Sequence, residues 1–137
     1  MVTARLLVVE DDQDTLDLLT LWLSEKYRVF GYRCADEALG ALPVVKPDLL
    51  LLDIGMGPID GLECLRAIRA VRGYDSIPAI ALTGYARDCE RAAFQAAGFQ
   101  AVLTKPILDD DLLAAITAML PQLGDQASDQ SAITTAA

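Results

Sequence analysis

The sequence contains no histidine among its 137 residues. Without an imidazole, neither a Ser–His–Asp triad nor a Cys–His pair can form, so the hydrolytic mechanisms that depend on histidine are excluded. Zinc sites that use histidine ligands are excluded for the same reason. The chain also cannot carry a phosphohistidine of its own, so any histidine phosphodonor has to be another protein.

Cysteine is scarce as well. Cys34, Cys64 and Cys89 are odd in number, widely spaced and without a CxxC pair. This pattern indicates neither a disulfide framework nor a thiolate zinc site. We interpret all three as free thiols in a reducing compartment.

Positive charge and long apolar runs are also limited. The chain has 11 lysines and arginines against 20 aspartates and glutamates, a net charge of −9, and no basic run. Because binding to nucleic acid or anionic lipid relies on cations that neutralise phosphates, we expect no direct contact with DNA, RNA or a membrane. The apolar stretch within residues 1–9 is too short for a signal peptide or a membrane span, so we expect a cytoplasmic protein.

Apolar residues make up 53% of the chain, enough for one domain with its own core. Periodicity predicts strands at 6–9, 28–33, 48–52, 78–82 and 101–104, and helices at 15–25, 35–42, 62–71, 87–97 and 110–120, with Pro43 ending the second helix. This alternation indicates an α/β fold with a five-stranded parallel sheet and helices on both faces. We expect residues 1–123 to form the domain and 124–137 to be a disordered tail.

Polar residues follow four of the five predicted strands. They are Glu10, Asp11 and Asp12 after the first, Asp53 after the third, Thr83 after the fourth and Lys105 after the fifth. The second strand ends at Arg33 and Cys34, with nothing comparable. Ligands of open parallel sheets bind beyond the carboxyl ends of the strands, and the flavodoxin-like order 2-1-3-4-5 would make these four strands adjacent. We therefore predict a site at this edge.

The residue types at this edge suggest phosphoryl chemistry. Three neighbouring carboxylates repel one another unless a cation neutralises them, and Mg²⁺ suits them because it also accepts phosphate oxygens. Asp53 would then be a nucleophile that forms an acyl phosphate. Lys105 and the Thr83 hydroxyl would stabilise the phosphoryl oxygens. We assign Asp12 mainly to capping the first helix.

Each of these residues, taken alone, has an ordinary explanation. The acidic run could be no more than a helix N-cap, Asp53 and Thr83 could be turn residues, and Lys105 could be a solvated lysine. Their joint occurrence at four strand ends favours a functional site.

The segments LLVVEDD, LLLDIGM with IDGLE, ALTGYA and AVLTKP resemble the four signature segments of response-regulator receiver domains, over about residues 4–123. The resemblance implies a single-domain receiver of a two-component or phosphorelay system, stand-alone or of the type associated with hybrid histidine kinases. It implies that Asp53 accepts a phosphoryl group from the phosphohistidine of a kinase or phosphotransfer protein. The chain would be a phosphoacceptor that promotes its own phosphorylation and dephosphorylation, with output through an unidentified partner protein or onward transfer to another histidine.

Matched residue by residue, the resemblance makes Glu10 and Asp11 the acidic pair, with Asp11 favoured over Glu10 as a direct metal ligand. Asp53 would also bind the metal, and Gly55 would supply a backbone carbonyl. Thr83 and Lys105 match the residues that sense and neutralise the phosphoryl group. The bond between Lys105 and Pro106 resembles a cis peptide of the family, which X–Pro bonds tolerate.

The chain departs from the family at two places. It has Met56-Gly57-Pro58 where the family usually has Met-Pro-Gly, and Val102 where the fifth strand usually carries an aromatic residue that changes rotamer. A β-branched valine has one dominant χ1 and cannot repeat that motion. We therefore hypothesise that activation moves residues 83–87 and the start of the fourth helix, while the fifth strand stays nearly fixed.

Three other functions compete with this interpretation. An aspartate-nucleophile phosphohydrolase needs an acid two residues after Asp53, where this chain has Gly55. A flavodoxin-like cofactor binder needs a phosphate cradle after the first strand, where the acidic run would repel phosphate. An interaction module that is never phosphorylated is the remaining alternative, and the presence of Asp53, Thr83 and Lys105 argues against it.

Overall fold

The computed structural model describes residues 3–54, 61–84 and 88–120, with backbone only at 88–90. Strands and helices alternate along these residues. The strands are β1 (Arg5–Val9), β2 (Arg28–Tyr32), β3 (Leu49–Asp53), β4 (Ala79–Thr83) and β5 (Ala101–Thr104). The helices are α1 (Gln13–Leu23), α2 (Ala35–Val45), α3 (Gly61–Arg69), α4 (Asp88–Ala97) and α5 (Asp109–Met119). The predicted tail lies outside the described residues.

All strands pair in parallel in the order β2-β1-β3-β4-β5, which confirms the predicted topology. The central strand β3 hydrogen-bonds to β1 on one side and to β4 on the other. Every residue of β3 and β4 is buried. These two strands therefore place their last residues, Asp53 and Thr83, in the buried part of the sheet.

Helices cover both faces of the sheet, as predicted. Successive side chains of a strand point to opposite faces, so Leu7 and Val9 of β1 pack with α2, α3 and α4, whereas Leu6 and Val8 pack with α1 and α5. The first core includes Ala38, Leu42, Leu65, Ile68 and Phe94, and the second includes Leu16, Leu19, Leu23, Leu112 and Ile116. Burial on both faces explains why the central strands are uniformly apolar.

Asp12 caps helix α1, as the sequence predicted. Its Oδ2 accepts a hydrogen bond from the Thr15 backbone N–H at 3.0 Å. The helix begins at Gln13, two residues earlier than the predicted start at 15, because the cap rather than the first apolar residue sets the start. The Asp12 side chain is consequently committed to the helix end.

The prediction that Pro43 ends the second helix was wrong, because α2 continues to Val45. Proline at position 43 removes the N–H that would bond the Leu39 carbonyl, but the loss of this one bond does not stop the helix. The Lys46 N–H still donates to the Leu42 carbonyl at 2.9 Å, and Leu42 and Val45 are buried in the core. Lys46 then adopts a left-handed conformation (φ 50°) and ends the helix.

The structure also describes Gly98 and the side chains of two of the three cysteines. Gly98 follows α4 with φ 117°, as expected for a residue just beyond a helix end. Cys34 is a free, exposed thiol, and Cys64 is free and buried, whereas the Cys89 side chain lies outside the described residues. Burial, together with the charge of Asp36, raises the pKa of Cys64 to about 11, so this thiol stays protonated.

Among the described residues, no helix is long and apolar enough to cross a membrane.

Candidate functional site

The carboxyl edge of the sheet brings together the polar residues that follow β1, β3, β4 and β5. Glu10 is fully buried, and Asp53 and Thr83 are each 4% exposed. The Glu10 backbone N–H donates to the Tyr32 carbonyl at 3.0 Å, which continues the β1–β2 ladder by one residue. Buried carboxylates are costly unless they are paired, so their presence at a strand edge points to a functional role.

Lys105 reaches across the sheet edge to both buried carboxylates. Its Nζ lies 2.9 Å from Glu10 Oε1 and 3.1 Å from Asp53 Oδ1, and its side chain is 28% exposed. The Lys105 N–H donates to the Thr83 carbonyl at 2.7 Å, which fixes its backbone beside β4. The peptide bond to Pro106 is cis, as the sequence resemblance implied.

Glu10, Asp11 and Asp53 form one acidic cluster. Each offers a carboxylate oxygen, and the three oxygens lie within 4.8 Å of one another. Asp11 is exposed, so the cluster is open to solvent on its side. Three carboxylates beside the single ammonium of Lys105 leave excess negative charge, and oxygen ligands of this kind fit a hard divalent cation such as Mg²⁺. The remaining predicted ligand, Gly55, lies outside the described residues.

The charges of this cluster are strongly coupled. Burial, followed by the hydrogen bond and the charge of Glu10, raises the pKa of Asp53 to about 7, against the opposing effect of Lys105. Burial lowers the pKa of Lys105, but the hydrogen bonds and charges of Glu10 and Asp53 outweigh it, and the net pKa is raised. The ammonium therefore stays charged at neutral pH, while the Asp53 carboxyl is only partly ionised in the metal-free protein.

Helix α3 begins against the backbone of Asp53. A Cβ atom at Gly61 would lie 2.6 Å from the Asp53 carbonyl oxygen and 2.6 Å from Ile54 Cδ1. Backbone at that distance cannot move aside cheaply, so only glycine allows α3 to begin this close to the acceptor strand. The IDGLE segment indicated a motif here, but the sequence alone did not show which contact requires the glycine.

The structure adds the residue that follows β2 to this edge of the sheet. Arg33 follows β2, and its Nε and Nη2 donate to the Asp11 carbonyl at 3.3 and 3.2 Å. The predicted strand order places Arg33 beside the end of β1, but no side-chain pattern showed that its partner is the Asp11 backbone carbonyl.

Val102 lies in the core rather than at the surface. It is 7% exposed and belongs to the same apolar cluster as Phe94 of α4. Arg91 of α4 ties the two elements together, since its Nη1 donates to the Val102 carbonyl at 3.1 Å and its Nη2 to Thr104 Oγ1 at 2.8 Å. The hypothesis of a mobile segment at 83–87 falls partly on residues 85–87, which lie outside the described residues.

Comparison with known proteins identifies the family. Residues 6–117 match the model of the response regulator receiver domain. An uncharacterized 14.6 kDa protein from the sodA1 3′ region of Leptolyngbya boryana is 41% identical over 103 residues, covering 74% of this chain and 79% of that protein. The response regulator MprA of Mycobacterium ulcerans is 33% identical over 97% of this chain, and the regulatory protein VanR of Enterococcus faecium is 33% identical over 85%. The chain spans 58% and 49% of the lengths of these two regulators.

Solved structures agree in fold. The chemotaxis protein CheY4 of Vibrio cholerae superposes with a TM-score of 0.82 at 24% identity, over 87% of this chain and all of that one. A CheY-like receiver domain protein of Methanospirillum hungatei gives 0.78 at 29% identity, over 91% and 99%. The matched family model covers all five strands and most of α5. This chain therefore belongs to the response-regulator receiver family and contains a receiver domain of two-component signalling.

Proposed function

We propose that Asp53 is the phosphoacceptor of this receiver domain and that Glu10, Asp11 and Asp53 hold Mg²⁺ beside it. The observation that carries the proposal is the contact of one ammonium, Lys105 Nζ, with two buried carboxylates, Glu10 and Asp53. A buried carboxylate with a raised pKa, placed beside an acidic cluster and a lysine, is the arrangement expected of a reactive group. The backbone carbonyl of Gly55 completes the proposed ligand set.

The proposed reaction is in-line transfer from a phosphohistidine of a partner kinase or phosphotransfer protein. An Asp53 carboxylate oxygen attacks phosphorus, the P–N bond breaks, and the electron pair stays on the imidazole nitrogen, which then takes a proton from solvent. Lys105 and the Thr83 hydroxyl stabilise the phosphoryl oxygens. Bound Mg²⁺ would supply positive charge that keeps the carboxylates ionised and neutralises the phosphoryl group.

Signal output and loss of the phosphoryl group complete the proposal. Water hydrolyses the Asp53 acyl phosphate at the same site, so the chain promotes its own dephosphorylation as well as its phosphorylation. The phosphorylated domain acts through the surface of an unidentified partner protein, or passes the group on to another histidine. The net charge of −9 argues against direct contact with nucleic acid or with a membrane. A cytoplasmic location is part of this proposal.

Intact mass spectrometry tests the core of this proposal. The protein is incubated with acetyl phosphate and Mg²⁺, and a parallel sample receives EDTA. We expect one phosphoryl adduct with Mg²⁺ and none with EDTA. An adduct of equal yield in both samples would refute the metal site, and no adduct in either would favour the unphosphorylated interaction module.

Replacing Lys105 should separate metal binding from phosphoryl transfer. In Lys105→Ala, we expect retained Mg²⁺ binding but adduct formation slower by roughly tenfold or more, because the phosphoryl charge loses its ammonium partner. The rate is measured by quenching acetyl phosphate reactions and weighing the intact protein. Lys26→Ala, which removes an exposed lysine, is the matched control. Equal rates in Lys105→Ala and the control would contradict the role of Lys105.

The conformational response should be strongest next to Thr83 rather than in β5. Val102 is packed in the core, and Arg91, the fourth residue of α4, ties this helix to β5. We therefore expect movement to be confined to residues 83–87 and the start of α4 before Arg91. Gly84 lowers the steric cost of that movement. Backbone NMR with the phosphate mimic beryllofluoride measures it. Larger shifts at Ala101–Thr104 than at 83–87 would overturn this expectation.

A further inference from the structure

One peptide unit in the loop after β1 is held from both sides. The carbonyl of the Asp11–Asp12 peptide accepts two hydrogen bonds from the Arg33 guanidinium, at 3.3 and 3.2 Å. The N–H of the same peptide donates to Glu10 Oε2 at 3.2 Å. A rotation of this peptide would break the contacts on both sides together.

The Asp11 carbonyl is free to accept these bonds because the helix does not use it. In a helix that began one residue earlier, the Thr15 N–H would donate to the Asp11 carbonyl. Here it donates to the Asp12 side chain instead. The helical ladder of α1 starts one residue later, with Leu16 N–H on the Asp12 carbonyl at 2.9 Å. Arg33 therefore supplies the partner that this carbonyl would otherwise find only in water.

The orientation of this peptide restricts the backbone that carries the Asp11 side chain. The Asp11 carboxylate is exposed, and no described hydrogen bond or ion pair of its own holds it in place, yet its oxygen lies within 4.8 Å of those of Glu10 and Asp53. Fixing the peptide that follows Asp11 restricts its ψ angle and so keeps the backbone that carries this carboxylate in one conformation. Groups that orient a metal ligand without touching the metal typically change its affinity about 10- to 100-fold.

We infer that Arg33 is a positioning residue of the metal site, acting through the Asp11–Asp12 peptide; this inference rests on the proposed function. Arg33 approaches from β2, the strand at the edge of the sheet, and so connects β2 to the cluster formed at β1 and β3. Two effects of Arg33 on Mg²⁺ have opposite signs. Its positive charge repels the cation, whereas its hydrogen bonds orient a ligand. Which effect wins is therefore measurable as the direction of the change in Mg²⁺ affinity.

The experiment compares wild type with Arg33→Met and Arg28→Met. Methionine keeps an unbranched apolar stem but lacks both charge and donors. Arg28 is the matched control, because it is exposed at the opposite end of β2 and lies over the Phe30 ring, away from the acidic cluster. Mg²⁺ binding is measured by isothermal titration calorimetry at constant ionic strength. In the metal-free proteins, amide hydrogen exchange at Asp12 and the carbonyl ¹³C shift of Asp11 are measured by NMR.

We expect Arg33→Met to bind Mg²⁺ about five- to tenfold more weakly, near the lower end of such effects because the contact is exposed. Its Asp12 amide should exchange faster than in wild type, with an unchanged melting temperature in the metal-free state. Arg28→Met should match wild type in Mg²⁺ affinity, in Asp12 amide exchange and in the Asp11 carbonyl shift. If wild type binds Mg²⁺ and Arg33→Met binds it equally well or more tightly, the role of Arg33 is overturned while the proposed function stands. No Mg²⁺ binding in wild type overturns the proposed function and this inference with it.

Discussion

The Asp53→Asn protein should acquire no phosphoryl group from acetyl phosphate and Mg²⁺ under conditions that label wild type. Asparagine keeps the shape of the side chain but cannot act as a carboxylate nucleophile. Asp53 ends the buried strand β3, and its Oδ1 lies 3.1 Å from Lys105 Nζ. Intact mass after a quenched reaction gives the result directly.

The matched control for this experiment is Asp12→Asn. It removes the same charge from the same edge of the sheet, and asparagine still caps a helix. Asp12 Oδ2 accepts a hydrogen bond from the Thr15 N–H at the start of α1, a role that asparagine can keep. The control should therefore fold and accept phosphate like wild type. An adduct on Asp53→Asn would show that another residue is the phosphoacceptor. Loss of the adduct in Asp12→Asn as well would mean that the charge of the loop, rather than Asp53 itself, controls the reaction.

The sequence predicted the sheet well because burial on both faces imposes a simple pattern. The stretch from Leu49 to Leu52 is apolar without interruption, and it forms the centre of the sheet, between β1 and β4. The placement of Glu10, Asp53 and Lys105 at one edge followed from strand order alone, since parallel strands all end on the same side. Their contacts at 2.9 and 3.1 Å required the structure.

The error at Pro43 has a physical origin in tertiary context, which local propensity does not contain. Pro43 does not end α2, since the burial of Val45 and the bond from Lys46 N–H to the Leu42 carbonyl hold the last turn. The contact of Arg33 with the Asp11 carbonyl was not predicted either. The partner of Arg33 is a backbone carbonyl on a neighbouring strand end, which no side-chain pattern in the sequence reveals.

Metal-free stability should depend on pH through Asp53. Its pKa is about 7 in the fold, against 3.8 as the ordinary value, so the native state binds more protons than the unfolded state between these values. The stability contributed by the protonated carboxyl is complete below about pH 4 and is lost as the pH rises through about 7. Above that, the ionised carboxylate is held beside Glu10 at a cost.

Removing this ionisable group should therefore stabilise the metal-free protein at pH 8. We expect Asp53→Asn to be more stable than wild type by about 2 kcal/mol at pH 8 and to differ little at pH 4. The full pKa shift of Asp53 would correspond to a larger stabilisation, but Glu10 and Lys105 readjust when one charge is removed. Chemical denaturation in EDTA at both pH values measures the difference. A variant that is less stable than wild type at pH 8 would show that the fold stabilises Asp53 as an anion. That result would contradict the raised pKa of Asp53.

Mg²⁺ should reverse the order of stability, so that wild type becomes more stable than Asp53→Asn. A ligand that binds only the native state adds RT ln(1 + [L]/Kd), about 2.7 kcal/mol at a hundred times Kd. Wild type should gain this stability, whereas Asp53→Asn, which lacks one of the three clustered carboxylates, should gain much less. Asp12→Asn again serves as the control and should respond like wild type. Because one substitution is expected to raise metal-free stability and to remove the metal response, a general loss of folding cannot produce both results. A wild-type denaturation midpoint that does not move with Mg²⁺ would instead mean that Lys105 alone neutralises Glu10 and Asp53.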